Sequence, residues 1–452
     1  MANKARDTQT TEEETDSRGE SIAYADLKAG MWIRCTKSAV PKLSQPWFTK
    51  ESYIHANVVG QVDMAYSYAK AIKTIDYDTR YTSNEGEYEL LTPKEIKEVH
   101  RQRVLSQREN LTIDRGYTHA LYIGLDPEIF VTTPDGVVIP AFSFLPSKKE
   151  AGTSTAGGTS TPYWDGFQAE WNTRPTYCHA WVVDYVQAGL KAVIAKARLQ
   201  QDSPRLSSAS VVELPREVLR KAKPEHVEFG CSPSKNAYGD EIAIPSGTEV
   251  PLRFAGFHIH FGYKKIYPTF SASDYNRLVK GIDRILGPIM VSTLVGIEDT
   301  RRRAFYGRAG EYRLPAHGLE YRVPSSTVMC NPLVTHLILD LARYAGHIAI
   351  NNLEEVWEND GDEQVRHIIN DYDVNEARKV IKHNLPILKA MLNNCYAKNA
   401  DNALSIITNG AVNTINTTAM HENWRINGTW QTHSDGANES IIRSNGDIFK
   451  TK

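Results

Sequence analysis

The sequence lacks several features that would mark a membrane, secreted or disulfide-rich protein. No apolar run in its 452 residues approaches the roughly 20 residues needed to cross a bilayer. The first twenty residues, MANKARDTQTTEEETDSRGE, are polar and acidic and contain no apolar core of a signal peptide. Five cysteines are scattered without a CxxC spacing, which favours buried or free thiols in a reducing compartment. We therefore expect a cytoplasmic protein.

A strong charge of either sign is also missing. The chain has 52 Lys and Arg residues against 54 Asp and Glu residues, and its net charge is −2. This balance argues against a protein that binds nucleic acid with its whole surface, although a local basic groove stays possible. A hydrophobic fraction of 41% and this length are sufficient for a large core and for two or three domains.

Changes in composition divide the chain into five stretches. We expect a disordered start that has almost nothing to bury, a small β-rich accessory domain, a basic linking helix, a large central domain and a polar, loosely ordered tail. The corresponding residues are 1–20, 21–92, 93–117, 118–398 and 399–452.

Helical periodicity is clear at several places in the central domain. Ser273 or Asp274 is the expected N-cap of the second long helix. Between the first two strands that carry glutamates, residues 148–162 are rich in Gly, Ser and Thr, so we expect a mobile loop that could close over a site. The expected helices are residues 178–200, 273–295 and 333–350, with a helical pair in 363–394.

Several short segments alternate apolar residues with charged or imidazole residues. In a strand, residues i and i+2 point to the same side, so ALYIGLDPEIFV places Asp126 and Glu128 opposite Leu125 and Ile129. Lys and Thr, the usual residues of a solvent-facing side, are nearly absent from these positions. The other segments place one reactive face on Gln168, Glu170 and Asn172, on His258 and His260, on Glu311 and Arg313, and on Glu320 and Arg322, with Asp165 at an entry turn.

These residue types indicate phosphoryl-transfer chemistry. Glu128, Glu170 and Glu320 offer the hard oxygen ligands that magnesium shares with substrate phosphates. A guanidinium group can bind a phosphate or a carboxylate through two parallel hydrogen bonds. Phosphoryl transfer requires both kinds of residue, carboxylates that bind a metal and arginines that bind phosphate. Six arginines crowd one short stretch: Arg301, Arg302, Arg303, Arg308, Arg313 and Arg322, of which Arg302 is the one most open to a solvent-facing interpretation.

Ordered motifs resemble a known superfamily. GLEYRVPSSTVMCNP resembles the R-x-E-x-R-x-P segment of glutamine synthetases, and GFHIHFG resembles their Gly-x-x-His-x-His strand. The combination of DPEIF, WDG-x-x-x-E, FGCSPSKNAYGD, GFHIHFG, YGRAGEYR and HGLEYR is more similar still to the phage-type carboxylate–amine ligases, or amidoligases (COOH-NH2 ligase type 2). The resemblance covers residues 124–332, roughly half of the chain.

The resemblance implies an α+β fold with a concave catalytic face on an antiparallel sheet and with covering helices. The small β-rich N-terminal unit, which we expect from its own sequence pattern, lies outside the resemblance. It implies an ATP- and Mg²⁺- or Mn²⁺-dependent ligase that forms an amide or isopeptide bond through an acyl phosphate. The implied metal ligands are Glu128, Glu170, Glu320 and His258. The implied catalytic residues are Glu128, Glu170, His258, Arg308, Arg313 and Arg322. The implied nucleotide-side residues are His258, Arg308, Arg313 and Arg322, and the residue types by themselves add His260, Arg301 and Arg303 as nucleotide-side candidates.

Other functions fit the same residues. A guanidine kinase-like phosphotransferase would use a related sheet and arginine site, a cupin-like metal hydrolase would use the histidines with a glutamate, and a phage structural or binding protein could keep the fold without catalysis. Under the ligase interpretation the partners are a carboxylate and an amine, for which a peptide, a cell-wall fragment, a polyamine or a modified nucleobase would all fit. We expect neither a membrane partner nor a nucleic-acid partner, and either a monomer or an oligomer would fit. If a phage encodes the chain, we expect the protein to act in the host cytoplasm.

Overall fold

The structure is a computed structural model, and it describes fifteen stretches of the chain. Expectations for the disordered start, for most of the linking helix and for the end of the tail fall outside these residues, as does Cys231. The described residues are 20–27, 32–37, 59–66, 69–74, 79–81, 87–92, 95–96, 121–176, 179–227, 234–240, 247, 250–262, 271–350, 357–394 and 400–427.

The chain divides into two compact units, residues 1–110 and 111–452. The first unit contains a six-stranded antiparallel sheet with the order β1-β6-β2-β3-β4-β5. Ile33 and Cys35 alternate along one strand and are fully buried, which gives this sheet an apolar side. The β-rich N-terminal unit is therefore confirmed. Its strands are β1 Ser21–Ile22, β2 Trp32–Lys37, β3 Val59–Tyr66, β4 Ala69–Thr74, β5 Thr79–Tyr81 and β6 Glu87–Leu90.

A nine-stranded sheet forms the centre of the second unit. Its main path is β13-β16-β17-β15-β7-β10-β9, with β8 and β11 paired to β7, and all of its pairings are antiparallel. A separate antiparallel pair joins β12 to β14. The strands are β7 Ile123–Thr132, β8 Val138–Ile139, β9 Tyr163–Asp165, β10 Gln168–Glu170, β11 Arg205–Ser207, β12 Val211–Glu213, β13 Lys235–Asn236, β14 Leu252–Phe254, β15 Phe257–Phe261, β16 Glu311–Arg313 and β17 Leu319–Tyr321.

Eleven α-helices lie within the described part of the chain, and none of them is long and apolar enough to span a membrane. They are α1 Lys148–Ala151, α2 His179–Ala197, α3 Arg216–Lys221, α4 Pro224–Val227, α5 Ala272–Thr293, α6 Pro332–Ile350, α7 Asp362–Asn370, α8 Val374–His383, α9 Leu385–Asn394, α10 Ala400–Asn409 and α11 Met420–Asn423.

The start of α5 shows how local sequence sets a helix boundary. Ser271, not Ser273 or Asp274, is the N-cap, and its hydroxyl accepts a hydrogen bond from the backbone N–H of Asp274. The Asp274 carboxylate accepts the N–H of Ser271 at 2.8 Å in return, which completes a capping box. The three long predicted helices are present as α2, α5 and α6, whereas the expected helical pair is divided into α7, α8 and α9.

Helix α5 lies against the apolar face of the sheet. The hydroxyl of Tyr321, which points away from Glu320, donates to Asp283 of α5 at 2.5 Å. Tyr312 of the neighbouring strand donates to Asn276 of the same helix at 2.7 Å. The predicted α+β class is confirmed, because helices cover one face of an antiparallel sheet and the other face keeps the reactive residues.

The end of the chain corrects the predicted polar tail. Helices α10 and α11 lie beyond residue 399, and Ile406, Ile407 and Trp424 are buried. The Trp424 indole donates to the Met329 carbonyl at 2.8 Å. Apolar residues at helical spacing were hidden in an Asn/Thr-rich stretch, so composition alone placed the boundary too early.

Candidate active site

Reactive side chains from neighbouring strands form one row on the open face of the sheet. The backbone register pairs Glu170 of β10 with Glu128 of β7, and His258 of β15 with Asp126 of β7. Register partners in an antiparallel pair point to the same side, so these side chains lie next to each other. The row runs across the sheet in the order Glu170, Glu128, Asp126, His258, His260, Glu320 and Arg313.

Three carboxylates form a compact cluster at one end of this row. One oxygen from each of Glu128, Asp165 and Glu170 lies within 4.8 Å of the others. Burial, followed by the charge of Asp165, raises the pKa of Glu128 to about 7. Burial also raises the pKa of Asp165 and, with the charges of Asp165 and Asp126, holds the pKa of Glu170 well above its usual range. All the possible metal ligands in this cluster are carboxylate oxygens, which repel one another when they are ionised. A hard divalent cation would bind to such oxygens and offset their repulsion.

Neighbouring groups hold two of these carboxylates in place. The backbone N–H of Gly256 donates to Glu128 at 2.6 Å, and the Tyr163 hydroxyl donates to Glu170 at 2.5 Å. Gly256 also admits the imidazole of His258, because a Cβ at Gly256 would lie only 2.4 Å from its Nε2 atom. The positions of both glutamates are therefore set by the fold.

His258 is the link between the carboxylate cluster and the arginines. Arg322 donates through Nε to the Tyr306 hydroxyl at 3.1 Å, which leaves the hydroxyl proton for His258 Nε2. The Nδ1 atom of His258 lies 3.6 Å from Glu320. Burial and then the charge of Arg322 hold the pKa of His258 well below its usual range, so a neutral imidazole is expected. A metal role for His258 would require this imidazole to give up its contact with Tyr306.

Glu320 does not join the three-carboxylate cluster. Its Oε1 atom lies 3.4 Å from Arg322 Nε and 3.8 Å from Arg313 Nη1. These contacts place the predicted metal ligand among the arginines, where its charge compensates guanidinium groups. The sequence pattern put Glu320 on the correct face, but the register put it two strands away from Glu128.

His260 belongs to a separate chain of polar contacts. Its Nε2 atom lies 3.0 Å from Asp126, and its Nδ1 atom lies 2.9 Å from Nε2 of His317. Burial alone would lower the pKa of His260, but the charge and hydrogen bond of Asp126 together with the charge of Glu320 outweigh burial and raise the pKa. Both ring nitrogens are engaged by neighbouring side chains rather than directed towards the cluster.

The middle residue of the arginine triplet, Arg302, is structural. Arg302 is fully buried and donates to the carbonyls of Val323 and Pro324 at 2.9 and 3.0 Å. Its guanidinium lies 4.6 Å from the Tyr306 ring, so it supports the tyrosine that holds His258. A solvent-facing Arg302 is therefore wrong. Gly307, with φ +71°, is needed here because a Cβ would lie 1.8 Å from Arg302 Nη1.

Two predicted nucleotide-side arginines are also occupied elsewhere. Arg303 donates to the Val323 carbonyl at 2.8 Å. Arg301 pairs with Asp299 at 2.8 Å and with Glu213 at 3.4 Å, and its side chain is exposed. A backbone carbonyl engages Arg303 and a local ion pair engages Arg301, and the assignment of both to a phosphate site stays a prediction.

Arg308 is presented by a loop with a fixed backbone. The N–H groups of Gly307, Ala309 and Gly310 donate to Glu311, Asn370 and Asp283 at 2.9, 2.8 and 2.6 Å. The Nε atom of Arg308 is buried, and within the described residues it has no hydrogen-bond partner. A rigid loop with an unsatisfied guanidinium nitrogen is suited to binding an anion.

Sequence reasoning missed three residues of the site. Asp165 was expected only at an entry turn, Tyr306 was not singled out, and Lys148 was treated as part of a loop. Lys148 lies with its Nζ atom 3.5 Å from Glu170. The WDG turn before β10 was an available signal for Asp165. The turn joins β9 to β10, and the hairpin register places Asp165 opposite Gln168, two residues before Glu170.

Two of the loop segments singled out in the sequence make defined contacts with neighbouring elements. The segment of residues 148–162 begins with helix α1, and the Ser160 hydroxyl accepts from the Asn172 backbone at 2.9 Å. Asn236 Nδ2 donates to the Ala309 carbonyl at 2.8 Å, and Asp240 pairs with Arg366 at 2.9 Å. The part of FGCSPSKNAYGD that the structure describes therefore braces the Arg308 loop from beside the sheet.

Comparisons with known proteins now supplement this geometry. Residues 237–425 match the family described as "Phage phiEco32-like COOH.NH2 ligase-type 2". The predicted resemblance is confirmed. The matched segment contains His258, Arg308 and Glu320 and begins after the carboxylate cluster. Its description supports an enzyme of the ligase type that joins carboxylate and amine.

Curated proteins and solved structures give two further comparisons. No curated protein matches the chain. Among solved structures, a chain titled "Apo GmaS without ligand" is similar, with 13% sequence identity over 79% of this chain and 82% of that chain and a TM-score of 0.33.

Proposed function

We propose that this carboxylate–amine ligase uses ATP and a divalent cation to form an amide or isopeptide bond through an acyl phosphate. The observation that carries the proposal is the cluster of Glu128, Asp165 and Glu170, which lies close enough to Arg313 and Arg322 for their charges to act on Asp165. Carboxylates at one end and guanidiniums at the other are the two parts that bind a metal-bound nucleotide.

The reaction explains why both ends are needed. A carboxylate must acquire a leaving group before an amine can displace it. Transfer of the terminal phosphoryl group of ATP to a carboxylate oxygen provides this group and releases ADP. The amine nitrogen then attacks the carbonyl carbon, and inorganic phosphate departs with the C–O bond electrons. Positioning and charge stabilisation supply most of the catalysis in such a transfer.

Each part of the site has a role in this proposal. Glu128, Asp165 and Glu170 would hold Mg²⁺ or Mn²⁺, which would neutralise charge on phosphate oxygens. Arg308 and Arg313 would bind the phosphate groups, and Glu320 would hold Arg322 in place. His258, kept neutral between Tyr306 and Glu320, would fix the spacing between the two ends. The substrates are one carboxylate and one amine, either of which could be part of a peptide or other macromolecule.

The metal role is tested by calorimetry. Binding of a non-hydrolysable ATP analogue should require Mg²⁺ or Mn²⁺ and should be lost in excess chelator. Glu170→Gln should reduce divalent-ion affinity at least tenfold because it removes one ligand charge from the cluster. The exposed Glu217→Gln serves as the control. Equal analogue affinity with and without chelator would contradict the metal role.

The products separate the ligase from its rivals. With a panel of carboxylates and amines, a ligase releases ADP and phosphate only when both substrates are present. A guanidine kinase-like enzyme would instead yield ADP and a stable phosphoguanidine, and a metal hydrolase would need no ATP. Turnover without ATP, or a phosphorylated end product, would replace the ligase proposal.

A further inference from the structure

Lys148 occupies a defined position at the edge of the carboxylate cluster. It is the first residue of helix α1, which Ser147 starts with a capping box. The Trp164 N–H donates to the Pro146 carbonyl at 3.0 Å, so the chain just before the helix is fastened to strand β9. The backbone of Lys148 is thus held next to the strand that ends in Asp165.

The Lys148 side chain reaches from there to the cluster. Its Nζ atom lies 3.5 Å from Glu170 Oε1 and 4.8 Å from the centre of the Tyr163 ring. Tyr163 donates its hydroxyl to the same Glu170 oxygen. The Lys148 side chain is 55% exposed, while that of Glu170 is only 11% exposed. The ammonium therefore sits at the mouth of the cluster and has free space on its outer side.

An ammonium group beside the cluster and a divalent ion bound to it would repel each other. Three carboxylate oxygens within 4.8 Å of one another create a strongly negative potential, which the Lys148 ammonium partly offsets. A divalent ion at the cluster would offset it better and would repel the ammonium. The flexible lysine stem and the open outer side allow the ammonium to move away.

We propose that Lys148 is an internal counter-cation of the carboxylate cluster, which a divalent ion must displace in order to bind. Lys148 thereby lowers the affinity of the cluster for the ion, so that a higher metal concentration is needed to fill the site. This inference rests on the proposed metal role of Glu128, Asp165 and Glu170.

A matched pair of lysines allows a direct test. Lys149 follows Lys148 on α1, is exposed, and carries the same charge, so Lys149→Gln controls for a general change in net charge. Mn²⁺ alone is titrated calorimetrically into the full-length wild type, Lys148→Gln, Lys148→Arg and Lys149→Gln. We expect Lys148→Gln to bind Mn²⁺ about 3- to 10-fold more tightly, since a competing partly exposed ion pair is removed. Lys148→Arg should stay closer to the wild type, and Lys149→Gln should match it.

The outcomes separate this inference from the proposed function. If the wild type binds Mn²⁺ and Lys148→Gln binds it no more tightly than Lys149→Gln does, the counter-cation role is wrong while the metal site stands. Weaker binding by Lys148→Gln would mean that Lys148 supports the site instead of competing for it, and this also overturns the inference. If no variant binds Mn²⁺, both the metal site and the role of Lys148 are wrong. Circular dichroism confirms that each variant is folded before titration.

Discussion

The two ends of the reactive face use charge in opposite ways. At the end formed by β7, β9 and β10, carboxylates of like charge lie together, and burial followed by their mutual repulsion raises their pKa values. At the end formed by β16, β17 and residues 300–310, several guanidiniums already donate to other groups of the fold. Arg302 and Arg303 donate to backbone carbonyls, and Arg301 pairs with carboxylates on the outside.

The difference teaches that the number of charged residues does not measure binding capacity. Carboxylates accept hydrogen bonds only, and a strand face places few donors next to them, so such a cluster favours a cation. The five donors of a guanidinium can all be used by the carbonyls of nearby loops. Under the proposed function the carboxylate end is mainly a binding site, whereas much of the arginine end is a scaffold around Arg308, Arg313 and Arg322.

The largest expected effect concerns the scaffold. Arg302→Met should lower the free energy of unfolding by about 3 kcal/mol, because it removes two buried charge-assisted hydrogen bonds, to the carbonyls of Val323 and Pro324, and the support of Tyr306. Urea unfolding measures this change. Arg301→Met is the control and should leave the transition midpoint unaltered, since its side chain is exposed. Normal stability of Arg302→Met with loss of nucleotide binding would place Arg302 in the site instead.

A second test concerns the raised pKa of Glu128 at the carboxylate end. The folded-state pKa of Glu128 is about 7 against an ordinary value of 4.5, so the folded protein keeps this proton to higher pH than the unfolded chain does. The contribution of Glu128 to stability is therefore fully present below about pH 4.5 and is lost as the pH rises through 7. Without metal, Glu128→Gln should be more stable than the wild type by about 3 kcal/mol at pH 8, and the difference should vanish below about pH 4.5.

Urea unfolding at several pH values in chelator measures this difference, with the exposed Glu217→Gln as the control for simple charge removal. Added Mg²⁺ should stabilise the wild type above pH 7 and should stabilise Glu128→Gln less. A stability difference that does not depend on pH between 5 and 8 would mean that Glu128 is already compensated in the fold.

The smallest expected effect separates an arginine that binds a ligand, Arg308, from one that stabilises the fold, Arg302. Arg308→Met should reduce the affinity for a magnesium–ATP analogue about tenfold, the usual effect of losing one charge-assisted contact, and should leave unfolding unchanged. The physical reason is that its Nε atom has no hydrogen-bond partner within the described residues to lose. Calorimetry measures the affinity, and the exposed Arg174→Met is the matched control. A large loss of stability in Arg308→Met would assign it to the scaffold with Arg302.

The elements of the fold were largely predictable where one periodicity ran for many residues. Helices α2, α5 and α6 have long 3.6-residue patterns, and β7 and β15 alternate with period two, so their types follow from local sequence. The tail was not predictable from composition, because Ile406, Ile407 and Trp424 find their apolar partners in distant parts of the chain. Ser292 of α5, for example, donates to the Ile407 carbonyl at 2.6 Å.

The sequence by itself determined which side chains share a face. Alternation placed Glu128, Glu170, His258, Glu320 and Arg322 on reactive faces, because successive residues of a strand point to opposite sides. Only the tertiary structure decided which of these faces meet. The order β17-β15-β7-β10-β9 brings Asp165 to Glu128 and Glu170 and leaves Glu320 beside Arg322. Strand order depends on long-range packing, and neither side-chain periodicity nor motif spacing contains that information.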